Sequence, residues 1–96
     1  MESTIEVTIR YFGRIAELTG KREEHIKVSA ATVRELIEKL SEMYGEKLFA
    51  SIMKSREGGL REDIIILVNQ KPIGGKLDTN LADGAVVSIL PFVSGG

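Results

Sequence analysis

The residues best placed to do chemistry stand at the end of the sequence, Leu90-Pro91-Phe92-Val93-Ser94-Gly95-Gly96. Glycine pairs also occur at Gly58-Gly59 and Gly74-Gly75. Only the last pair carries an α-carboxylate, and a terminal pair arises by chance in about one chain in two hundred. A carboxylate is a poor electrophile until it becomes an acyl-adenylate. An enzyme that performs this activation must thread the tail into a narrow site beside ATP. Glycine lacks a Cβ, so it fits a tight channel and takes φ of either sign. Pro91 fixes φ and lacks an amide donor, so it is expected to end strand pairing and send the tail outward. Taken alone, the tail is explained equally well by ordinary fraying of a chain end.

Other reactive groups are sparse. The sequence contains no cysteine, which excludes disulfides, thiolate metal sites and a cysteine nucleophile in this chain. His25 is the only histidine; it has no second ligand nearby in sequence and reads as a solvated side chain, so no metal is expected. Glu23 and Glu24 point to opposite faces of an extended chain. They make a poor acid/base pair and read, beside Lys21-Arg22, as a solvated turn. Lys71 and Lys76 are expected near the tail-bearing end, where they could meet an acidic partner.

The 96 residues suggest one domain. A chain of this length can bury a modest core without staples. Charged residues make up 28% and the net charge is −1, which gives no electrostatic case for nucleic acid and no basic patch for a membrane surface. The polar start Met1-Glu2-Ser3-Thr4 leads directly into a strand pattern, so no signal peptide is expected. The longest strongly apolar run, Ile64 to Val68, is too short to span a bilayer. The default location is cytoplasmic.

The elements that must position the tail follow from periodicity. Ile5, Val7, Ile9 and Tyr11 alternate with Glu6, Thr8 and Arg10, a half-buried strand with its odd positions inward. Phe12 then falls on the outer side. Gly13 to Gly20 holds Ile15 and Leu18 at helical spacing, with Gly20 as a C-terminal cap. Glu24, Ile26 and Val28 alternate with His25 and Lys27, a second strand antiparallel to the first. Thr32-Val33-Arg34-Glu35 is a capping box. Val33, Leu36, Ile37, Leu40, Met43 and Tyr44 form the apolar stripe of a helix over residues 32–44, with Glu35 and Lys39 pairing outside and Gly45 as the stop. Leu48, Phe49, Ile52 and Met53 fit a short helix, and residues 56–63 a loop.

Ile64 to Val68 is a continuously apolar strand, and Asn69-Gln70-Lys71-Pro72 a turn before an edge segment near Ile73. Asp83-Gly84 turns the chain into a last strand, Ala85 to Leu90, with Val87 and Ile89 facing the helix. The last strand is expected beside the first, since both have an apolar face to bury against one helix. The result is an α+β fold, a mixed sheet of about five strands wrapped around one main helix in a β-grasp arrangement. The domain spans 1–91, with 92–96 as a flexible tail. By parity Phe12, Ile65, Leu67 and Leu90 lie on the sheet face away from the helix, and an apolar patch on a small monomer marks an interaction site. The alternative cover for that face is the chain's own segment, residues 46–63.

In this order and spacing, Ile9-Arg10-Tyr11-Phe12-Gly13 with Glu17-Leu18-Thr19-Gly20, Thr32-Val33 with Leu36 and Leu40, Val68-Asn69-Gln70, and Leu81, Asp83-Gly84, Val87, Pro91 and Val93-Ser94-Gly95-Gly96 resemble the small subunit of molybdopterin synthase. That family, called MoaD, is a branch of the ubiquitin-like sulfur carriers. Ala85 stands where the family often has an acidic residue, and Phe92 where it often has a second proline. The segment 46–63 is longer than in the shortest members.

The resemblance implies a mechanism. An E1-like adenylating enzyme would use ATP to activate Gly96, and a persulfide donor would replace AMP to leave a Gly96 thiocarboxylate. The tail, Phe92, Val93, Ser94 and Gly95, would insert into a larger catalytic subunit, where the sulfur builds a pterin dithiolene. Phe12, Ile65, Leu67, Leu90 and Pro91 would form the partner-binding surface. The chain itself would bind no cofactor and no metal, perform no acid/base catalysis, and be a monomer when free. The same activated end could instead be joined to a lysine, as in a ubiquitin-like protein modifier, or serve another sulfur pathway. A non-covalent binding module with a chance Gly-Gly end is the remaining reading.

Overall fold

The computed structural model describes residues 4–92. The first strand, β1 (Ile5–Tyr11), follows the alternation of its sequence, with Val7, Ile9 and Tyr11 buried. The chain then makes a short helix, α1 (Gly13–Thr19), closed by Gly20 in the left-handed conformation, whose amide donates to the Ala16 carbonyl. β2 (Glu23–Val28) returns antiparallel to β1. The main helix, α2 (Val33–Tyr44), begins at the expected capping box: the Thr32 hydroxyl accepts from the Glu35 amide and the Glu35 carboxylate accepts from the Thr32 amide. α3 (Glu46–Ile52) follows directly, then β3 (Ile64–Val68), the short edge strand β4 (Lys71–Pro72), and β5 (Val86–Pro91).

The sheet order is β2-β1-β5-β3-β4. β5 lies in the middle, parallel to β1 and antiparallel to β3, so β1 and β5 bury their apolar faces side by side. The core on the helix side joins Ile9, Tyr11, Val87 and Ile89 of the sheet with Leu36, Ile37 and Leu40 of α2 and Leu48 and Ile52 of α3. This is the expected β-grasp arrangement. Two polar hooks seat β5. Asp83 accepts from the Glu6 amide at 2.7 Å and the Gly84 amide donates to the Glu6 carbonyl at 2.7 Å, which ties the turn to β1. On the other side Asn69 exchanges two bonds with Val86: its amide donates to the Val86 carbonyl at 2.8 Å and its side-chain oxygen accepts from the Val86 amide at 3.0 Å.

Four details differ from expectation. Met43 is 42% exposed rather than core; it sits at the margin of the stripe, and Ser41 on the other margin is buried instead. Glu35 does not pair with Lys39, because its carboxylate is occupied by the Ala31 and Thr32 amides at 2.8 and 3.1 Å. The turn after β3 is only Asn69-Gln70, both with positive φ, the geometry that matches strand twist in a two-residue hairpin. Lys71 and Pro72 therefore belong to an edge strand, where a proline is tolerated. Finally, pairing does not stop at Pro91. Pro91 lies opposite Ile64, and the Phe92 amide donates to the Asp63 carbonyl at 2.6 Å. In an antiparallel ladder bonded and non-bonded pairs alternate. The bond at Phe92 places Pro91 at a non-bonded position towards β3, where a missing amide costs nothing.

Candidate functional site at the end of the central strand

The root of the tail is built by three neighbours of β5. On one side β1 has ended. The Phe12 amide donates to the Ile89 carbonyl at 3.2 Å, and Gly13 turns the chain into α1 with φ +56. A Cβ on Gly13 would lie 2.6 Å from Cγ of Pro91. Glycine is required there twice over, by its left-handed backbone and by the closeness of the proline ring. The sequence Phe12-Gly13 thus serves as a seat for Pro91. On the other side stands the start of β3, where Asp63 holds Phe92.

Asp63 is itself held. Its carboxylate accepts from Arg14 of α1 at 2.9 Å and from Nε and a terminal nitrogen of Arg61 at 3.0 and 3.3 Å. The Arg61 hydrogen bonds, then the one from Arg14, keep the Asp63 carboxyl below the usual carboxylate range, and Asp63 in turn raises the Arg61 guanidinium. Sequence reasoning missed this group. Its three members come from α1 and the turn before β3, and no local spacing joins Arg14 to Asp63.

The expected surface residues do come together. Ile65 and Leu90 are directly opposite each other on the β3–β5 ladder, and Leu67 lies opposite Ser88. All three apolar side chains are half-buried, and Phe12 and Phe92 are 37% and 47% exposed. The alternative cover is not used: residues 53–61 fold back on themselves, with Met53 bridging Leu60 and the Arg61 amide bonded to Ile52. Leu48, Phe49 and Ile52 point into the core. Pro91 is half-buried against Gly13. Val93, Ser94, Gly95 and Gly96 lie outside the described residues. Lys71 is not near the tail: it pairs with Val68, at the opposite end of β3 from Ile64 and Pro91.

One buried polar group also departs from expectation. Glu24 is not in a solvated turn. It lies in β2 with its side chain 9% exposed, and accepts from the Tyr11 and Tyr44 hydroxyls, the latter at 2.6 Å, and from Lys21 at 3.0 Å. Burial alone would raise its pKa; the hydrogen bonds from the two tyrosines and Lys21 outweigh that and hold it below the usual value. Burial and the Glu24 carboxylate push Tyr11 far up. Both phenols stay protonated donors, so this group braces β1, β2 and α2 rather than moving protons. Its sequence signal was parity, since Glu24 shares the inward face with Ile26 and Val28. His25 is exposed, as expected, with Nδ1 2.8 Å from the Thr8 hydroxyl. Among the described residues no group of three His, Cys, Asp or Glu side chains could hold a metal ion, and no helix is long and apolar enough to cross a membrane.

No curated protein matches the sequence. Solved structures do. A Pyrococcus furiosus protein proposed to be molybdopterin converting factor, subunit 1, is 32% identical with a TM-score of 0.71, over 93% of this chain and 99% of that one. Small archaeal modifier protein 1 from Methanosarcina acetivorans is 29% identical with a TM-score of 0.79, over 98% and 99%. An Amycolatopsis orientalis chain of the BexX/CysO complex is 28% identical with a TM-score of 0.75, over 94% and 99%. The ThiS family profile matches residues 9–96, from the middle of β1 to the final glycine. The chain belongs to the ThiS family of ubiquitin-like sulfur carriers.

Proposed function

We propose that the chain carries sulfur as a thiocarboxylate on Gly96 and, as the small subunit of a molybdopterin synthase, supplies it for dithiolene formation in the cytoplasm. The observation that carries this reading is the span of the family match, which includes the Gly95-Gly96 end. The likeness to the Pyrococcus furiosus protein supports the molybdenum-cofactor role. An E1-like enzyme adenylates the Gly96 carboxylate with release of pyrophosphate. A persulfide sulfur then attacks the acyl carbon and AMP leaves. A second thiol cleaves the resulting acyl disulfide, giving the thiocarboxylate and a new disulfide on the donor side. The chain's own contribution is presentation. β5 holds the tail root between Gly13 and Asp63, and the half-buried face around Ile65, Leu67, Leu90 and Phe12 docks on the larger subunit. Phe92 to Gly95 insert into it.

Incubation with the activating enzyme, ATP and a persulfide donor is expected to raise the protein mass by the exchange of one oxygen for sulfur. A chain lacking Gly96 should show no change. Absence of the gain in a system that thiolates a known carrier would reject the reading. The likeness to small archaeal modifier protein 1 favours a second outcome of the same activation, an isopeptide between Gly96 and a lysine. Conjugates of a tagged chain in cells, lost on deletion of Gly96, would establish that outcome. Full function after loss of Gly95-Gly96 would leave only a non-covalent module.

A further inference from the structure

We infer that Asp63, gripped by Arg14 and Arg61, is a positioning residue that sets the direction in which the tail leaves the sheet; this rests on the reading that the tail end is the reacting group. The last ladder bond among the described residues is the one from the Phe92 amide to the Asp63 carbonyl. That carbonyl points where the turn before β3 points it. The turn is closed by the Ile64 amide on the Arg61 carbonyl at 3.2 Å and braced by the Arg61 guanidinium lying along the Asp63 carboxylate. Arg14 ties the same carboxylate to α1, the element whose first residue, Gly13, packs on Pro91. Tail root, helix and strand are thereby joined through one side chain.

The exposure of the group argues for positioning over stabilisation. The side chains of Arg14, Arg61 and Asp63 are 43%, 43% and 39% exposed, and ion pairs at such sites add little to folding. Two of them, with three hydrogen bonds, nevertheless converge on the residue that holds Phe92. Fixing the exit direction before the partner arrives lowers the ordering cost of inserting an extended tail.

Asp63→Ala removes the grip and keeps the carbonyl; Arg14→Ala removes only the tie to α1. Hydrogen exchange at the Phe92 amide is expected to speed up by about three- to tenfold in Asp63→Ala and by less in Arg14→Ala. If the competent direction is populated less, the apparent affinity falls by that fraction. The KM of the chain as substrate of the adenylating enzyme should then rise by a similar factor with kcat unchanged. Arg14→Lys should recover part of the loss, and Lys54→Ala, beside the group in the Lys54–Glu62 pair, should change neither reading. Wild-type exchange at Phe92 in Asp63→Ala, or altered exchange with an unaltered KM, would overturn the inference. A wild-type chain that is never adenylated sinks the functional reading instead, while Phe92 exchange still decides whether the group holds the tail root.

Discussion

The outer face of the sheet divides into two unlike halves. On β2 and β1 it carries charge. Glu23 faces Arg10, His25 faces Thr8 and Lys27 faces Glu6 across the ladder, with ion pairs of 3.5 Å for Arg10–Glu23 and 3.9 Å for Lys27–Glu6. On β5, β3 and β4 the same face carries Val86, Leu90, Ile65, Leu67 and Pro72, with Ser88 the only polar residue. The charged half finds its partners within the sheet and ends on an edge strand, where charges discourage pairing with another chain. The apolar half has no such internal satisfaction and lies beside the tail root. The contrast separates a half whose charges are answered within the sheet from a half that presents apolar side chains beside the tail root. Apolar residues on a half-wet sheet are informative because the adjoining strands show that polar ones would have served.

The largest test places a charge in the apolar half. Ile65→Asp is expected to weaken binding to the proposed larger subunit by about a hundredfold, the size of a central interface residue, and to cost folding about 1 kcal/mol. Titration calorimetry and thermal unfolding separate the two effects. Binding unchanged by the carboxylate would erase the distinction between the halves.

Next comes the support beneath the charged half. Glu24→Ala leaves the buried Tyr11 hydroxyl without its acceptor and should destabilise the fold by about 2 kcal/mol at pH 7. The folded pKa of Glu24 is lowered, so its contribution is complete above the unfolded carboxylate value of about 4.3 and is lost as pH falls through the lower folded value. Denaturant unfolding of wild type and variant should therefore converge in acid. A gap that persists or widens there would mean that the carboxylate charge is not what braces the strands.

The smallest effect is expected on the charged surface itself. Lys27→Ala breaks a long, exposed pair and should change stability by under about 0.5 kcal/mol and leave partner affinity untouched. A measurable loss of affinity would extend the docking surface onto β2.

Much of this was legible in the sequence, and the limits were physical. Strict alternation in Ile5 to Tyr11 set the parity of the whole sheet, because β1 borders both β2 and β5. The capping box fixed the start of α2, since Thr32 and Glu35 satisfy amides three residues apart. The site was half legible: parity brought Phe12, Ile65, Leu67 and Leu90 to one face without knowledge of the register. What failed was non-local or competitive. Glu35 had two possible partners, and the local amides won over Lys39. Glu24 meets Tyr11 and Tyr44 only once three elements have packed. Pro91 was expected to break the ladder, and the outcome depended on which side of the strand its missing donor faced. The Arg14–Asp63–Arg61 group spans nearly fifty residues of sequence and left no periodic trace.

The placement of β5 between β1 and β3 has a consequence for how the protein is made. β5 follows both of its neighbours in the chain, so β1 and β3 have no common strand until Val86 to Pro91 has been made. A message truncated anywhere before Val86 yields β1 and β3 with no strand to share. A copy that stops there lacks both the closed sheet and the seat of Pro91 on Gly13, so one interruption removes the fold and the root of the tail together.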